Sequence, residues 1–275
     1  MKMSVAKLCK KVGMTRQNYY KARHIRRRNN VNEGLIKELV QTERVIQPRL
    51  GGRKLYVMLK SEIEKAGIRI GRDCFFNALR NQRLLLERLP KAPRTTNSHH
   101  NLPVFTNLVR DMELTAPNQV WASDITYLRT SENFLYLSLI TDMYSRKIVG
   151  WHLGNGLGIG KTLKALEMAL AEKPEVSKPI HHSDRGSQYC SHLYVDKLKE
   201  YGMNISMTEE NHCAENALAE RINGILKQEY GLGHEFRNTD QALKAVEQAI
   251  YLYNNRRPHT SLKMKTPVQV HSLAA

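Results

Sequence analysis

The sequence predicts an α/β chain: a mixed five-stranded sheet with flanking helices, preceded by a basic, all-α, helix-turn-helix-like region. Three observations predict it. The excess of positive charge is confined to the front of the chain, with 25 Lys and Arg against 7 Asp and Glu in residues 1–110, and 18 against 19 in residues 111–275. The texture changes across a polar stretch with three prolines, PKAPRTTNSHHNLP at 90–103, from helical periodicity to β-branched and aromatic runs. Beyond that stretch the elements take the order β-β-β-α-β-α-β-α, the pattern of a sheet covered by helices.

Residues 4–23, SVAKLCKKVGMTRQNYYKAR, read as two short helices around a turn, with Val5, Leu8 and Val12 as the apolar stripe of the first. Gly13 can adopt the left-handed conformation that ends a helix, and Thr15 can cap the next. The second helix offers Arg16, Gln17, Asn18, Tyr19 and Lys21, side chains suited to base edges and phosphates. HIRRR at 24–28 extends the charge. An amphipathic helix near 33–47, one over 53–66 stopping at Gly67, and one over 73–80 complete the region.

After the polar stretch, NQVWASDITYL (118–128), FLYLSLITDM (134–143) and KIVGWHL (147–153) read as three sequential strands. A helix at 161–173, a strand at 179–183, a helix at 191–201 and a strand at 204–207 come next. A long helix at 214–230 and a final one at 240–254 lead into NNRRPH.

The formal net charge of +17, gathered at one end, points to a polyanion, with nucleic acid as the partner. Four scattered cysteines without a CxxC pair fit free thiols in a reducing cytoplasm, and no run is long enough for a membrane span.

Three acids stand out. Asp124 lies mid-strand, where a charge is costly unless it is paired or functional. Asp184, in HHSDRGSQY at 181–189, comes at the end of the fourth strand, an edge where such sheets place chemistry. Glu220 lies on the long helix with Asn216, Asn223 and Lys227 within about 60° of it, while Leu218, Ile222, Ile225 and Leu226 face away. Glu215 is turned away by about 140°, and Glu229 points into the apolar side without an evident role. Carboxylates repel phosphates, so convergent acids in a polyanion-binding protein imply divalent cations. Two Mg²⁺ (or Mn²⁺) ions about 3.5–4 Å apart would activate the attacking oxygen and stabilise the leaving one. Arg185 and the histidines beside Asp184 would then help to hold phosphate.

Asp124 and Asp184 are separated by 59 residues, and Asp184 and Glu220 by 35. With WASDITYL (121–128), LITDMYSRKIVGW (139–151), ENALAERINGILKQE (215–229), YNNRRPHTSL…TP (253–267) and the basic PRLGGRKLY (48–56), these intervals resemble a known family. It is that of bacterial insertion-sequence transposases with an integrase-type catalytic domain, the large family whose type member is numbered three. The resemblance implies a ribonuclease-H-like core at 111–235, with Asp124, Asp184 and Glu220 as metal-binding acids. It also implies a basic helical DNA-binding region at 1–89, a linker at 90–110, and a C-terminal helix with basic tail at 236–275. The implied chemistry is cleavage at transposon ends and then attack of the freed 3′-hydroxyl on another phosphodiester. Arg16, Gln17, Asn18, Lys21, Arg185, Asn223 and Lys227 are the expected DNA contacts. The partners expected are end and target double-stranded DNA, further copies of the chain on DNA, and an upstream-frame protein or fusion. The site of action is cytoplasmic, on the nucleoid when DNA is bound, with no membrane involved. RIN after Glu220 departs from the aromatic residues that many members carry there.

Other readings are weaker. GNGLGIGKT at 154–162 ends like a P-loop but has Asn155 where the first glycine is required. A zinc site from His181, His182, Cys190, His192, His212 and Cys213 fits no standard spacing, and adjacent strand residues point to opposite faces. His99 and His100 read as solvated loop residues. A DNA-binding protein with a silent nuclease centre is the alternative from another class, and the intact acids favour the enzyme.

Overall fold

The computed structural model describes residues 3–87, 102–171, 179–209 and 216–273, the side chains of residues 27, 30 and 31 excepted. Residues 90–101 of the expected linker, with His99 and His100, lie outside the described residues, as do His212, Cys213 and Glu215. The chain divides into two units, Met1–Glu87 and Arg88–Ala275.

The first unit is helical. Ser4 accepts from the Lys7 N–H to cap α1 (Val5–Lys11), Gly13 takes a φ of +68°, and Thr15 accepts from the Asn18 N–H at 3.2 Å to cap α2. These caps fall where the sequence puts them. The region beyond Thr15 departs from expectation: α2 (Arg16–Ile46) is a single helix of 31 residues, not two helices with a charged connection. Neither proline nor a left-handed glycine interrupts it, arginine is a good helix former, and Gly34 costs only about 1 kcal/mol. The expected stripe of α1 is also displaced. Leu8 and Val12 are exposed and Cys9 is the buried residue. Ile36 and Val40 of α2 meet Leu55, Leu59 and Ile63 of α3 (Gly52–Lys65) and Phe75 and Leu79 of α4 (Arg72–Asn81), closing a small core.

The second unit is built on one sheet. β1 (Val120–Thr130) pairs antiparallel with β2 (Phe134–Asp142), which pairs antiparallel with β3 (Ile148–Gly154). β4 (Ile180–Ser183) lies parallel to β1, and β5 (Asn204–Met207) parallel to β4. The order is β3-β2-β1-β4-β5. β6 (Glu235–Phe236) adds a short parallel pairing at Arg129–Thr130; two residues are too few for a periodicity to reveal.

Both faces are covered, so the central strands carry near-continuous apolar runs. In β2, Leu135, Leu137 and Leu139 face one side and Ile140 the other. On one side α5 (Ile159–Ala171) and α7 (His192–Glu200) pack on Trp121, Ile140 and Val149 through Leu166, Leu170, Tyr194 and Leu198. A Cβ at Gly150 would lie 2.2 Å from Ala165 O, so only glycine lets α5 approach β3 so closely. On the other side lie α8 (Ala217–Glu229) and α9 (Thr239–Asn255), with Ile222, Ile225, Leu226, Val246 and Tyr253 over Leu137 and Leu139. The short helix α6 (Ser187–Cys190) precedes α7, and α10 (Pro267–Leu273) ends the described chain.

The C-terminal helix expected at 236–275 packs into the sheet unit, where α9 fills the same core as α8. The segment after α9 is also tied down: Asn254 exchanges two 2.9 Å hydrogen bonds with the Ile148 backbone, and Arg257 grips Glu229 with two bonds of 2.8 Å. That pair supplies the role for Glu229 that its sequence position did not. At the other end, residues 102–110 are not free linker. The Leu108 N–H donates to Ser206 Oγ and the Asn107 N–H to Glu209 Oε1, both at 2.9 Å, alongside β5.

Candidate active site

The register of β1 and β4 builds half of the site. Their pairing keeps a constant offset of 60, from Val120 opposite Ile180 to Ser123 opposite Ser183, so the next step sets Asp124 beside Asp184. Paired residues of neighbouring parallel strands share a face and stand about 4.8 Å apart. Backbone donors hold both carboxylates. The Ile125 N–H donates to Asp124 Oδ1 at 2.9 Å, and the Gly186 N–H to Asp184 Oδ1 at 3.0 Å. A Cβ on Gly186 would lie 3.0 Å from that same oxygen and would press on the Asp184 carboxylate.

The other half comes from α8. Its apolar side is seated in the core, so the stripe carrying Asn216, Glu220, Asn223 and Lys227 is turned toward β1. Asn216 donates through Nδ2 to Ser123 O at 3.2 Å, and Asn223 through Nδ2 to Asp124 Oδ2 at 2.7 Å. Lys227 Nζ sits 4.1 Å from the centre of the Tyr127 ring, half-buried. Glu220, between the two asparagines, is exposed.

The acids feel one another. The Asp124 carboxyl is pushed up to about 7, by burial first and then by the charge of Asp184; Asn223 and the Ile125 N–H oppose the rise, and Glu220 adds to it. Burial lowers the Lys227 ammonium, and the charge of Asp124 resists that.

A neutral polar layer lies beneath. His181 Nε2 is 2.7 Å from Ser123 Oγ and 2.9 Å from the Tyr194 hydroxyl, and burial, then His182, holds the ring's pKa down to about 3. His182 turns to the other face and its Nδ1 meets Ser206 Oγ at 2.9 Å. His181 is therefore neutral scaffolding, and both histidines of HHSDRGSQY are taken up inside the fold, each 1% exposed, so neither serves as a phosphate ligand and the zinc reading loses both. Arg185 donates from Nε to Thr208 O at 2.7 Å, anchoring the turn after β4. Asn223, expected at DNA, is instead buried against Asp124. Arg16, Gln17, Asn18 and Lys21 are exposed at the start of α2 in the first unit.

A hard divalent cation suits the chemistry of this donor set: three carboxylates, with the buried amide oxygens of Asn216 and Asn223 on the same helix as Glu220 and without a donor among the described residues. Among the described residues, no three acidic, histidine or cysteine side chains are gathered closely enough to hold an ion as they stand. Glu220 is the exposed one of the three acids.

Residues 115–213 and 201–267 each match a family described as Integrase core domain. The chain also superposes on the simian T-cell lymphotropic virus intasome in complex with PP2A regulatory subunit B56 gamma, with TM-score 0.50 and 20% identity over 80% of this chain and 74% of that one. Fold and matches define the class: an integrase core, ribonuclease-H-like in architecture. Among individual proteins, it is 35% identical to the Insertion element IS600 uncharacterized 31 kDa protein of Shigella sonnei, over 98% of this chain and all of that one. It is 36% identical to Transposase InsF for insertion sequence IS3A of Escherichia coli strain K12, over 66% of this chain and 64% of that protein. The chain belongs to the IS3-type family of insertion-sequence transposases. No helix among its described residues is long and apolar enough to cross a membrane.

Proposed function

We propose that the protein is a DNA transposase that cleaves phosphodiesters at insertion-sequence ends and joins the freed 3′-hydroxyl to target DNA. The observation that carries this reading is the acid cluster itself: register sets Asp124 beside Asp184, and the charges of both Asp184 and Glu220 reach Asp124. Asp124 and Asp184 would hold Mg²⁺ or Mn²⁺ from the sheet, and Glu220 would complete the set by a change between staggered rotamers of an exposed side chain. Bound divalent cations, two in number, supply Lewis-acid activation of the attacking oxygen and charge neutralisation at the leaving one. In cleavage a water oxygen attacks phosphorus, the P–O3′ bond breaks, the water loses a proton and the 3′-oxygen gains one. In joining, the freed 3′-hydroxyl takes the place of water and a target 3′-oxygen leaves.

The exposed Arg16, Gln17, Asn18 and Lys21, together with Lys227 and Arg185, are the DNA contacts of this reading. Further copies of the chain, or an upstream-frame partner, complete the assembly on DNA. Such a protein works in the cytoplasm, on the nucleoid.

The test uses labelled end DNA with Mg²⁺ or Mn²⁺. Wild type nicks or joins it, whereas Asp184→Asn does neither and keeps near-wild-type DNA affinity. Full activity in the variant overturns the site. A wild type that binds ends yet never cuts them, with either metal, supports the silent DNA-binding alternative.

A further inference from the structure

Asn216 and Asn223 flank Glu220, about one helical turn to either side. Their Nδ2 groups are committed to β1, at Ser123 O and Asp124 Oδ2. A carbonyl oxygen and an ionised carboxylate only accept, so with Asp124 charged, as a bound cation would keep it, each NH₂ faces β1 and each amide oxygen is left for another donor. Both amide oxygens are buried without a partner among the described residues, on side chains of residues 3% and 6% exposed. Unsatisfied buried acceptors in a native fold call for an explanation, and these two belong to side chains whose nitrogens meet β1 at Asp124 and at the residue before it. Among the described residues they lack a donor. Water bound to Mg²⁺ is one: its lone pair faces the ion, its hydrogens point outward, and Mg²⁺ keeps several such waters.

We propose that Asn216 and Asn223 are positioning residues that cradle a hydrated divalent cation from the outer sphere, tying α8 to β1 through Nδ2 and accepting from metal-bound water through Oδ1. The inference rests on the function proposed above. It gives the helix a second task besides carrying Glu220. The two amides would hold the ion's water shell in register with the strand acids, and a cation that sheds its water would gain nothing from them.

Calorimetric titration of the full chain with Mg²⁺, and separately with hexaamminecobalt(III), tests the cradle. The cobalt complex does not exchange its ligands and offers only outward N–H donors, so it reports outer-sphere contacts alone. Wild type should bind both and Asp184→Asn should bind neither. Asn223→Ala and Asn216→Ala should each weaken both by about tenfold, within the range for outer-shell partners of metal ligands. A merely structural role would lower the melting temperature and leave both affinities within twofold of wild type, which overturns the cradle. So does a loss confined to Mg²⁺, which would mean the amides act only by orienting Asp124, or a wild type that ignores the cobalt complex. If Asp184→Asn binds like wild type, the ions sit elsewhere and the proposed function itself fails. Should Asn223→Ala show no cooperative melt, Asn216→Ala, which gives up one bond to a backbone carbonyl, decides alone.

Discussion

The two aspartates and the glutamate are held in different ways. Asp124 and Asp184 are set by strand register and by backbone N–H donors, half-buried at the end of a sheet packed on both faces. Glu220 stands exposed in the first turn of a helix, its position set only by how α8 seats. The lesson is a division of labour. The sheet carries the electrostatic cost of keeping two acids together, and on the function proposed above the helix would supply a third that arrives with the cation.

The largest expected effect comes from breaking the sheet half. Asp124→Asn should reduce end cleavage to background, measured on labelled end DNA, and should also change how stability depends on pH. The folded carboxyl titrates near 7 and the unfolded one near its ordinary value of about 3.9. Between those values the folded state holds a proton that the unfolded state releases. Wild-type stability therefore falls as pH rises from about 4 to about 7 and is level above, by up to a few kcal/mol. Thermal melts across that range should show the slope in wild type and lose it in Asp124→Asn.

Glu220→Gln sharpens the contrast. It should cost activity comparably, yet leave the melting curve and its pH dependence nearly unchanged, within about 0.5 kcal/mol, as expected for an exposed residue. A strong destabilisation would mean that the helix acid is as deeply built in as the strand acids.

Moving the helix without touching an acid comes next. Leu226→Ala, beneath α8 and 1% exposed, should cost about 2–5 kcal/mol in a denaturant melt. Its cleavage rate at saturating metal should fall further than its metal affinity, because the strand pair stays in place. The smallest effect belongs to Lys227→Gln: a severalfold loss of DNA affinity, with the slope of log affinity against log salt reduced by about one.

Much of this architecture is legible in the sequence because local signals carry it. Runs of β-branched and aromatic residues mark the strands, and a turn of 3.6 puts Asn216, Asn223 and Lys227 on the side of Glu220. The constant offset that pairs Asp124 with Asp184 depends on strand neighbours, which no local pattern reveals. Angles on a helix likewise say that Asn223 lies near Glu220, not that β1 is opposite; hence a residue expected at DNA turns out to hold Asp124. His181 reads as a positive neighbour of Asp184, and only burial in the sheet makes it neutral. The caps at Thr15 and Gly13 are readable, but the absence of a stop signal between 24 and 33 outweighs the apparent break, and α2 runs through.

The Arg257–Glu229 clasp has a practical corollary for anyone seeking a minimal catalytic fragment. A truncation after residue 235 looks natural from the spacing of the acids, but it would strip α9 from Leu137 and Leu139 and strand a carboxylate at the end of the helix that bears Glu220. The smallest folded piece that keeps its catalytic geometry has to extend past Arg257.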